Sequence, residues 1–331
     1  CIIIERKSLR GMQRMASMKS NMAKFLLKNS HYFMGQMEKG KIDENTSIEE
    51  TRAVSEKFAQ RMEQMSWMTK ITRLATGIRV EPEQIYHLYG EWILPAHSSK
   101  DQVMLYLHGG GYVFGSCNTY RSFMTKLVKE SSVTALIINY RLAPEHPFPA
   151  AVDDAAFTYQ WLLSRGVHPK NIVLAGDSAG GGLVLATMLA LKDRQISLPK
   201  AAVVMSPWTD LTFSGESVQT KKDVEHFIPE GCIETFGGYY TKGSNPATPY
   251  ASPLFGALED LPPIMIHVGE DEILLDDSVR FHQKAIRAGV DCQIKIWPGM
   301  FHCFPLMAPA FPEAVQGLRE MAAFVAKHIY G

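Results

Sequence analysis

No run of about 18 apolar residues occurs in this 331-residue chain, so no membrane-spanning helix of ordinary length is expected. Neither sign of charge dominates, because 34 Lys and Arg balance 34 Asp and Glu. A nucleic-acid-binding face needs a surplus of cations, so no nucleic-acid partner is expected. Cysteine is sparse and scattered: Cys1, Cys117, Cys232, Cys292 and Cys303, without a C-x-x-C pair. Such an odd, dispersed set argues against a disulfide framework and a zinc site, and points to a reducing, cytoplasmic setting. The basic stretch at residues 1–30 has neither a continuous apolar core nor a small-residue cleavage site, so it does not read as a signal peptide. Internal repeats and low-complexity tracts do not stand out. With 46% hydrophobic and 21% charged residues, the composition is that of a globular chain with one large α/β domain or two ordinary ones.

Methionine is plentiful, and nine of the 17 fall within residues 1–75, which read as helical. Ser47 with Glu50 three positions on forms a capping-box pattern. Ile48, Val54, Phe58, Met62 and Met65 follow at roughly helical spacing. The stripe reads as a packed helix face, with an adaptable ligand-facing surface as the alternative. Before Ser30, seven Lys and Arg stand against Glu5; a solvated helix face is the reading, with a membrane-surface helix as the rival.

From about residue 100, short apolar runs recur at 103–107, 134–140, 171–176, 201–206, 264–268 and 292–297. Most lack polar alternation, the mark of strands buried on both faces of a mostly parallel sheet. Helical patterns at about 119–130, 151–165, 179–193, 277–289 and 311–329 complete a doubly wound α/β fold. Residues 207–262 break the rhythm. They are too long for a simple crossover and carry six prolines, with Pro263 just beyond, so they read as an insertion over the sheet, together with the amino-terminal helices.

The run at 171–176 leads into Gly176-Asp177-Ser178-Ala179-Gly180, a G-x-S-x-G between a buried strand and a long apolar helix. That context suits a nucleophile elbow, which exposes Ser178 Oγ at a helix amino end. A glycine-rich turn capped by serine is the plainer alternative. His108-Gly109-Gly110-Gly111 follows an earlier strand. Glycines let backbone N–H groups approach a ligand, and acyl transfer needs such donors where an oxyanion develops. Gly110 and Gly111 are the expected donors, with Ala179 N–H as the third. A phosphate-cradling loop is the rival, but the P-loop lysine and a ribose-binding acid are lacking. His108 itself reads as a structural anchor of the loop.

A serine nucleophile needs a base, and the base an orienting carboxylate. His302, in the turn after the last strand, is the expected base; His267 and His282 read as structural and Cys303 as packing. Residues 269–277, GEDEILLDD, hold five carboxylates after the preceding strand. Asp276 and Asp277 read as helix caps. Glu270, Asp271 and Glu272 remain, and residue chemistry alone does not choose among them.

HGGG, YRLAPEHPFPA at 140–150, GDSAGG and the late acid–His pair together resemble the hormone-sensitive-lipase-like esterases, bacterial family IV of the α/β-hydrolase fold. The resemblance runs from about residue 75 to the end. It implies hydrolysis of small carboxylic esters of short to medium acyl chain, no metal or cofactor, and frequent homodimers. It also implies a cap built from the amino terminus and an insertion after the sixth strand. The expected division is therefore 1–75, amino-terminal cap; 76–206, catalytic domain; 207–262, cap insertion; and 263–331, the rest of the catalytic domain. The family's D-P-L-x-D frame overlies EILLD, so Glu272 takes the acid's place, 30 residues before His302, with Asp271 one residue out of frame. Glu stands where Asp is usual. Glu145 becomes a supporting residue around the site. The same triad would also serve an amidase or acyltransferase; a non-catalytic receptor on this scaffold is the remaining alternative.

Overall fold

A single sheet organises the chain in the computed structural model, which describes residues 17, 19–21, 24, 42–65, 77–96 and 98–331, with residues 58 and 61–65 as backbone. Its strands are β1 (Arg79–Ile85), β2 (Leu88–Leu94), β3 (Val103–Leu107), β4 (Thr134–Ile138), β5 (Ile172–Asp177), β6 (Ala201–Met205), β7 (Ile264–Gly269) and β8 (Cys292–Trp297). Their order is β1-β2-β4-β3-β5-β6-β7-β8. The first two pairings, β1 with β2 and β2 with β4, are antiparallel. The others are parallel. The six runs expected from hydrophobicity are β3 to β8. The hairpin β1–β2 was not among them; it adds the antiparallel edge and makes β6 the sixth strand.

Strands β3, β4, β5 and β6 are buried along their whole length. Their alternation is internal to the core: Val103, Leu105 and Leu107 join one apolar layer, Met104 and Tyr106 the other. Helices α3 (Ala150–Ser164), α4 (Ser178–Asp193) and α7 (Leu275–Arg287) supply the first layer. Helices α2 (Cys117–Ser131) and α8 (Pro312–Tyr330) supply the second. Parallel strands all end on one side, so β5, β6, β7 and β8 deliver their following loops to a common edge.

Helix α1 (Ile48–Met65) begins where the capping pattern predicts, with Glu50 N–H donating to Ser47 Oγ at 3.2 Å. Ile48 packs against the core, whereas Val54 is exposed. The side chains of Phe58, Met62 and Met65, and most of the methionine-rich segment before residue 42, lie outside the described residues. The 207–262 segment contains the short helices α5 (Ser217–Thr220) and α6 (Cys232–Thr241). It meets the amino-terminal segment, since Ile42 N–H donates to Glu230 O at 2.8 Å. Among the described residues no helix is long and apolar enough to cross a membrane.

Asp276 and Asp277 fall in the first turn of α7, as expected for caps, but α7 has no side-chain cap bond. Their carboxylates turn outward to the 207–217 segment. Asp276 Oδ2 accepts from Ser217 N–H at 2.8 Å, and Asp277 Oδ2 from Thr209 and Asp210 N–H at 2.7 and 2.8 Å. They tie the 207–217 segment to the sheet edge.

Candidate active site

Ser178 is the first residue of α4, directly after β5. Its φ is 52°, a left-handed conformation that costs a non-glycine residue about 1–2 kcal/mol. The strand-to-helix turn forces it, and the flanking glycines make the turn possible. A Cβ on Gly176 would stand 2.6 Å from Gly180 O, and one on Gly180 would stand 2.1 Å from Leu107 O. Ala179 N–H lies in the first helical turn, where backbone donors lack intrahelical acceptors.

The glycine loop after β3 is held from several sides. His108 is buried, stacks on Tyr140 at 4.3 Å, and its carbonyl accepts from Tyr140 OH at 2.7 Å. Its Nδ1 lies 2.8 Å from Gly109 O and therefore carries the proton it donates there. Burial pulls its pKa down to about 4, so the ring is neutral. His108 anchors the loop, as its position suggested. Gly109 C=O and Gly110 N–H share one trans peptide, so fixing the carbonyl on His108 aims the N–H the opposite way. Gly111 N–H is set by the same logic, because Gly110 O accepts from Val113 and Phe114 N–H, each at 3.0 Å. Among the described residues neither Gly110 nor Gly111 N–H donates to another protein group.

Asp177 joins this loop to the elbow. It is buried and accepts from Tyr106 OH (2.8 Å), Tyr120 OH (2.7 Å) and Gly109 N–H (3.0 Å). Burial raises its pKa despite these donors. The motif contains Asp177, yet its role was not legible from the motif.

Glu272 and His302 meet at the ends of β7 and β8. His302 Nδ1 lies 2.7 Å from Glu272 Oε2, with both side chains almost wholly buried (3% and 0% exposed). Asp271 turns away to Lys24 Nζ at 2.6 Å, and Glu270 accepts from Gly299 N–H at 3.0 Å. Glu272 Oε1 accepts from Gly269 N–H and from Ser206 Oγ, the latter at 2.8 Å. Ser206 follows β6 and accepts in turn from Cys303 N–H at 3.1 Å. This support through Ser206 was not anticipated. Burial lowers the His302 pKa, but the hydrogen bond and charge of Glu272, with Glu225 and Asp177 beyond, raise it above the ordinary histidine value.

His302 Nε2 lies 3.3 Å from Cys303 Sγ, and among the described residues Ser178 Oγ is not hydrogen-bonded to the imidazole. Burial keeps the Cys303 thiol well above its usual pKa, hence neutral; the residue packs in the second core layer. The 207–262 segment reaches the same place. The Phe227 ring lies 5.8 Å from the His302 ring. Glu225 accepts from Phe227 and Ile228 N–H at 2.7 and 3.1 Å, and from Ile273 N–H at 3.3 Å. On the other flank, Phe236 of α6 fills the space beside Gly111, 2.6 Å from where a Cβ would stand. Glu145 pairs with Arg52 of α1 at 2.7 Å.

A family model described as the alpha/beta hydrolase fold matches residues 104–306. An acetyl-hydrolase of Streptomyces hygroscopicus is 40% identical over 239 residues, covering 72% of this chain and 80% of the relative. An esterase of Acinetobacter venetianus is 38% identical over 248 residues, covering 75% and 82%. The crystal structure of an esterase from the bacterial hormone-sensitive lipase family superposes with a TM-score of 0.84 at 34% identity, over 95% of this chain and 99% of that one. These matches show that the chain belongs to the α/β-hydrolase-fold family, among its hormone-sensitive-lipase-like carboxylic ester hydrolases.

Proposed function

We propose that the chain is a serine carboxylesterase that hydrolyses short- to medium-chain esters through an acyl-enzyme on Ser178, with Glu272 and His302 completing the triad. The observation that carries this reading is the buried 2.7 Å contact of Glu272 with His302 Nδ1, at the sheet edge where the Ser178 elbow ends β5. Glu272 holds the Nδ1–H tautomer, which leaves Nε2 as the base. The contact of Ser178 Oγ with Nε2 forms by side-chain rotation when substrate enters, since catalytic hydrogen bonds are often long in free enzymes.

Ser178 Oγ then attacks the ester carbonyl as His302 takes its proton. The tetrahedral oxyanion is received by Gly110, Gly111 and Ala179 N–H. His302 gives the proton to the leaving alcohol, water attacks the acyl-enzyme with the same base, and Ser178 is released. We assign the cap to residues 1–75 and 207–262. The contacts of Phe227 with His302 and of Phe236 with Gly111 support that assignment. The free thiols of Cys117, Cys232, Cys292 and Cys303 agree with a cytoplasmic setting.

Ser178→Ala tests the reading on p-nitrophenyl butyrate. The expected kcat loss is about 10⁴-fold or more, by analogy with triad knockouts. Turnover equal to that of the unaltered protein would refute it.

A further inference from the structure

The glycine loop leaves its β-strand through three consecutive left-handed residues, Gly110 (φ 113°), Gly111 (φ 62°) and Tyr112 (φ 63°). Glycine adopts such angles readily and tyrosine does not, so a turn of this kind holds its shape only if its exits are restrained. The restraints run outward carbonyl by carbonyl. Gly110 O is held by Val113 and Phe114 N–H, and Tyr112 O by Ala143 N–H at 2.9 Å. The next two carbonyls, Val113 O and Ala143 O, end on one side chain. Arg52 Nε donates to Val113 O at 2.7 Å, and Arg52 Nη2 donates to Ala143 O at 2.8 Å. The guanidinium is itself fixed by a two-pronged pair with Glu145, at 2.7 and 2.8 Å. One helical turn on, Glu56 accepts from Ser116 Oγ and Asn118 Nδ2, where α2 starts. Thus α1 grips both ends of the segment from Val113 to Asn118.

From this geometry we infer that Arg52 is a positioning residue for ester hydrolysis: it holds the glycine loop in the shape that aims Gly110 and Gly111 N–H at the oxyanion. The inference rests on the proposed role of those two amides. Arg52 touches no reacting atom. It acts through Val113 and Ala143, and it makes the amino-terminal helix part of the machinery for transition-state stabilisation. A lysine could keep the charge and one contact, but it lacks the planar fork that reaches two carbonyls and a carboxylate at once.

The test compares the unaltered protein with Arg52→Lys and Glu145→Gln on p-nitrophenyl acetate, and measures the affinity of an alkylboronic acid. Boron accepts the serine oxygen as His302 takes its proton, and the resulting tetrahedral boronate anion places one of its hydroxyl oxygens where the oxyanion develops. Arg52→Lys is expected to lower kcat by about 10–100-fold with KM within about threefold, and to weaken boronate binding by a similar factor. Glu145→Gln loosens the fork without removing it, and should shift kcat and boronate affinity together in the same direction by less, about 2–10-fold. Far-UV circular dichroism and urea unfolding establish that each variant is folded; Glu145 is 55% exposed, so its substitution leaves the core intact. Folded variants with both quantities unchanged would overturn the inference. So would a fall in kcat with boronate affinity intact, since that pattern belongs to a defect outside the oxyanion site. If the unaltered protein neither cleaves the ester nor binds the boronate, the underlying site reading fails instead.

Discussion

One step along the chain, from Asp271 to Glu272, reverses the use of a carboxylate: the first pairs with half-buried Lys24, the second with buried His302. We expect Glu272→Gln to cut kcat by about 10²–10⁴-fold through loss of the Nδ1–H tautomer, while Asp271→Asn changes it by less than about threefold. Steady-state kinetics on one ester decides between them, and the reverse ranking would move the acid to position 271. The frame shared with the resembling esterases singles out Glu272 in the sequence. Asp177, Ser206 and Glu225 were not legible, because their partners lie 68, 66 and 48 residues away and no local pattern links such pairs. Ser206→Ala leaves Glu272 without one donor and Cys303 N–H without its acceptor, so a kcat loss of about tenfold is expected. The pH profile follows from His302. As the proposed base it works only when deprotonated, and its pKa is raised above 6.5 against the opposing effect of burial. The acid limb of kcat/KM therefore has its midpoint above 6.5. Glu225→Gln removes one of the carboxylates holding a proton there, so the midpoint moves down. An unmoved limb would detach Glu225 from the site.

At the scale of elements, the runs that became β3 to β8 were readable because burial on both faces requires unbroken apolar sequence. The β1–β2 hairpin hid for the opposite reason. β1 is an edge strand carrying Arg79, Glu81, Pro82 and Glu83, residues an edge tolerates and a central strand does not. Its turn residues, Tyr86 and His87, lack the Asn-Gly or Asp-Gly signature of a two-residue hairpin. Helix α7 starts at Leu275 rather than at Asp277, because its acids serve the neighbouring 207–217 segment instead of their own amino terminus. The glycine pattern at the elbow was legible, and its cause is now specific. Gly180 sits where a methyl group would collide with Leu107 O and with His108 O, the latter 2.3 Å away. Gly180→Ala should cost about 3 kcal/mol in urea unfolding, since backbone on both sides must give way. Gly238, in α6, is the contrast: nothing lies within 4 Å of its missing Cβ. Gly238→Ala should instead gain up to about 1 kcal/mol from helix propensity and a less flexible unfolded chain.

For the whole molecule, the same chain must hold a sheet edge open to substrate while fastening two distant segments near it. Asp277 is one of the fasteners, and it carries a pH signature. It is buried, accepts two backbone N–H groups from the start of the 207–262 segment, and has Asp210 close by. Burial, with the Asp210 charge adding to it, pushes its pKa up to about 8 in the folded state, against 3.8 for the free side chain. A raised folded pKa means that folding favours the proton. The stability this proton contributes is fully present below the unfolded value of 3.8 and is lost as pH rises through about 8. Asparagine keeps an amide oxygen for both backbone donors and has nothing to titrate. Relative to the unaltered protein, Asp277→Asn should therefore look least favourable at pH 4 and progressively better toward pH 8, as read from urea midpoints at fixed m-value. A difference between the two proteins that stays constant across that range would mean that Asp277 is already ionised at low pH. In that case its two backbone donors, rather than burial, govern the carboxylate, and the 207–217 segment is fastened by a charge-assisted contact.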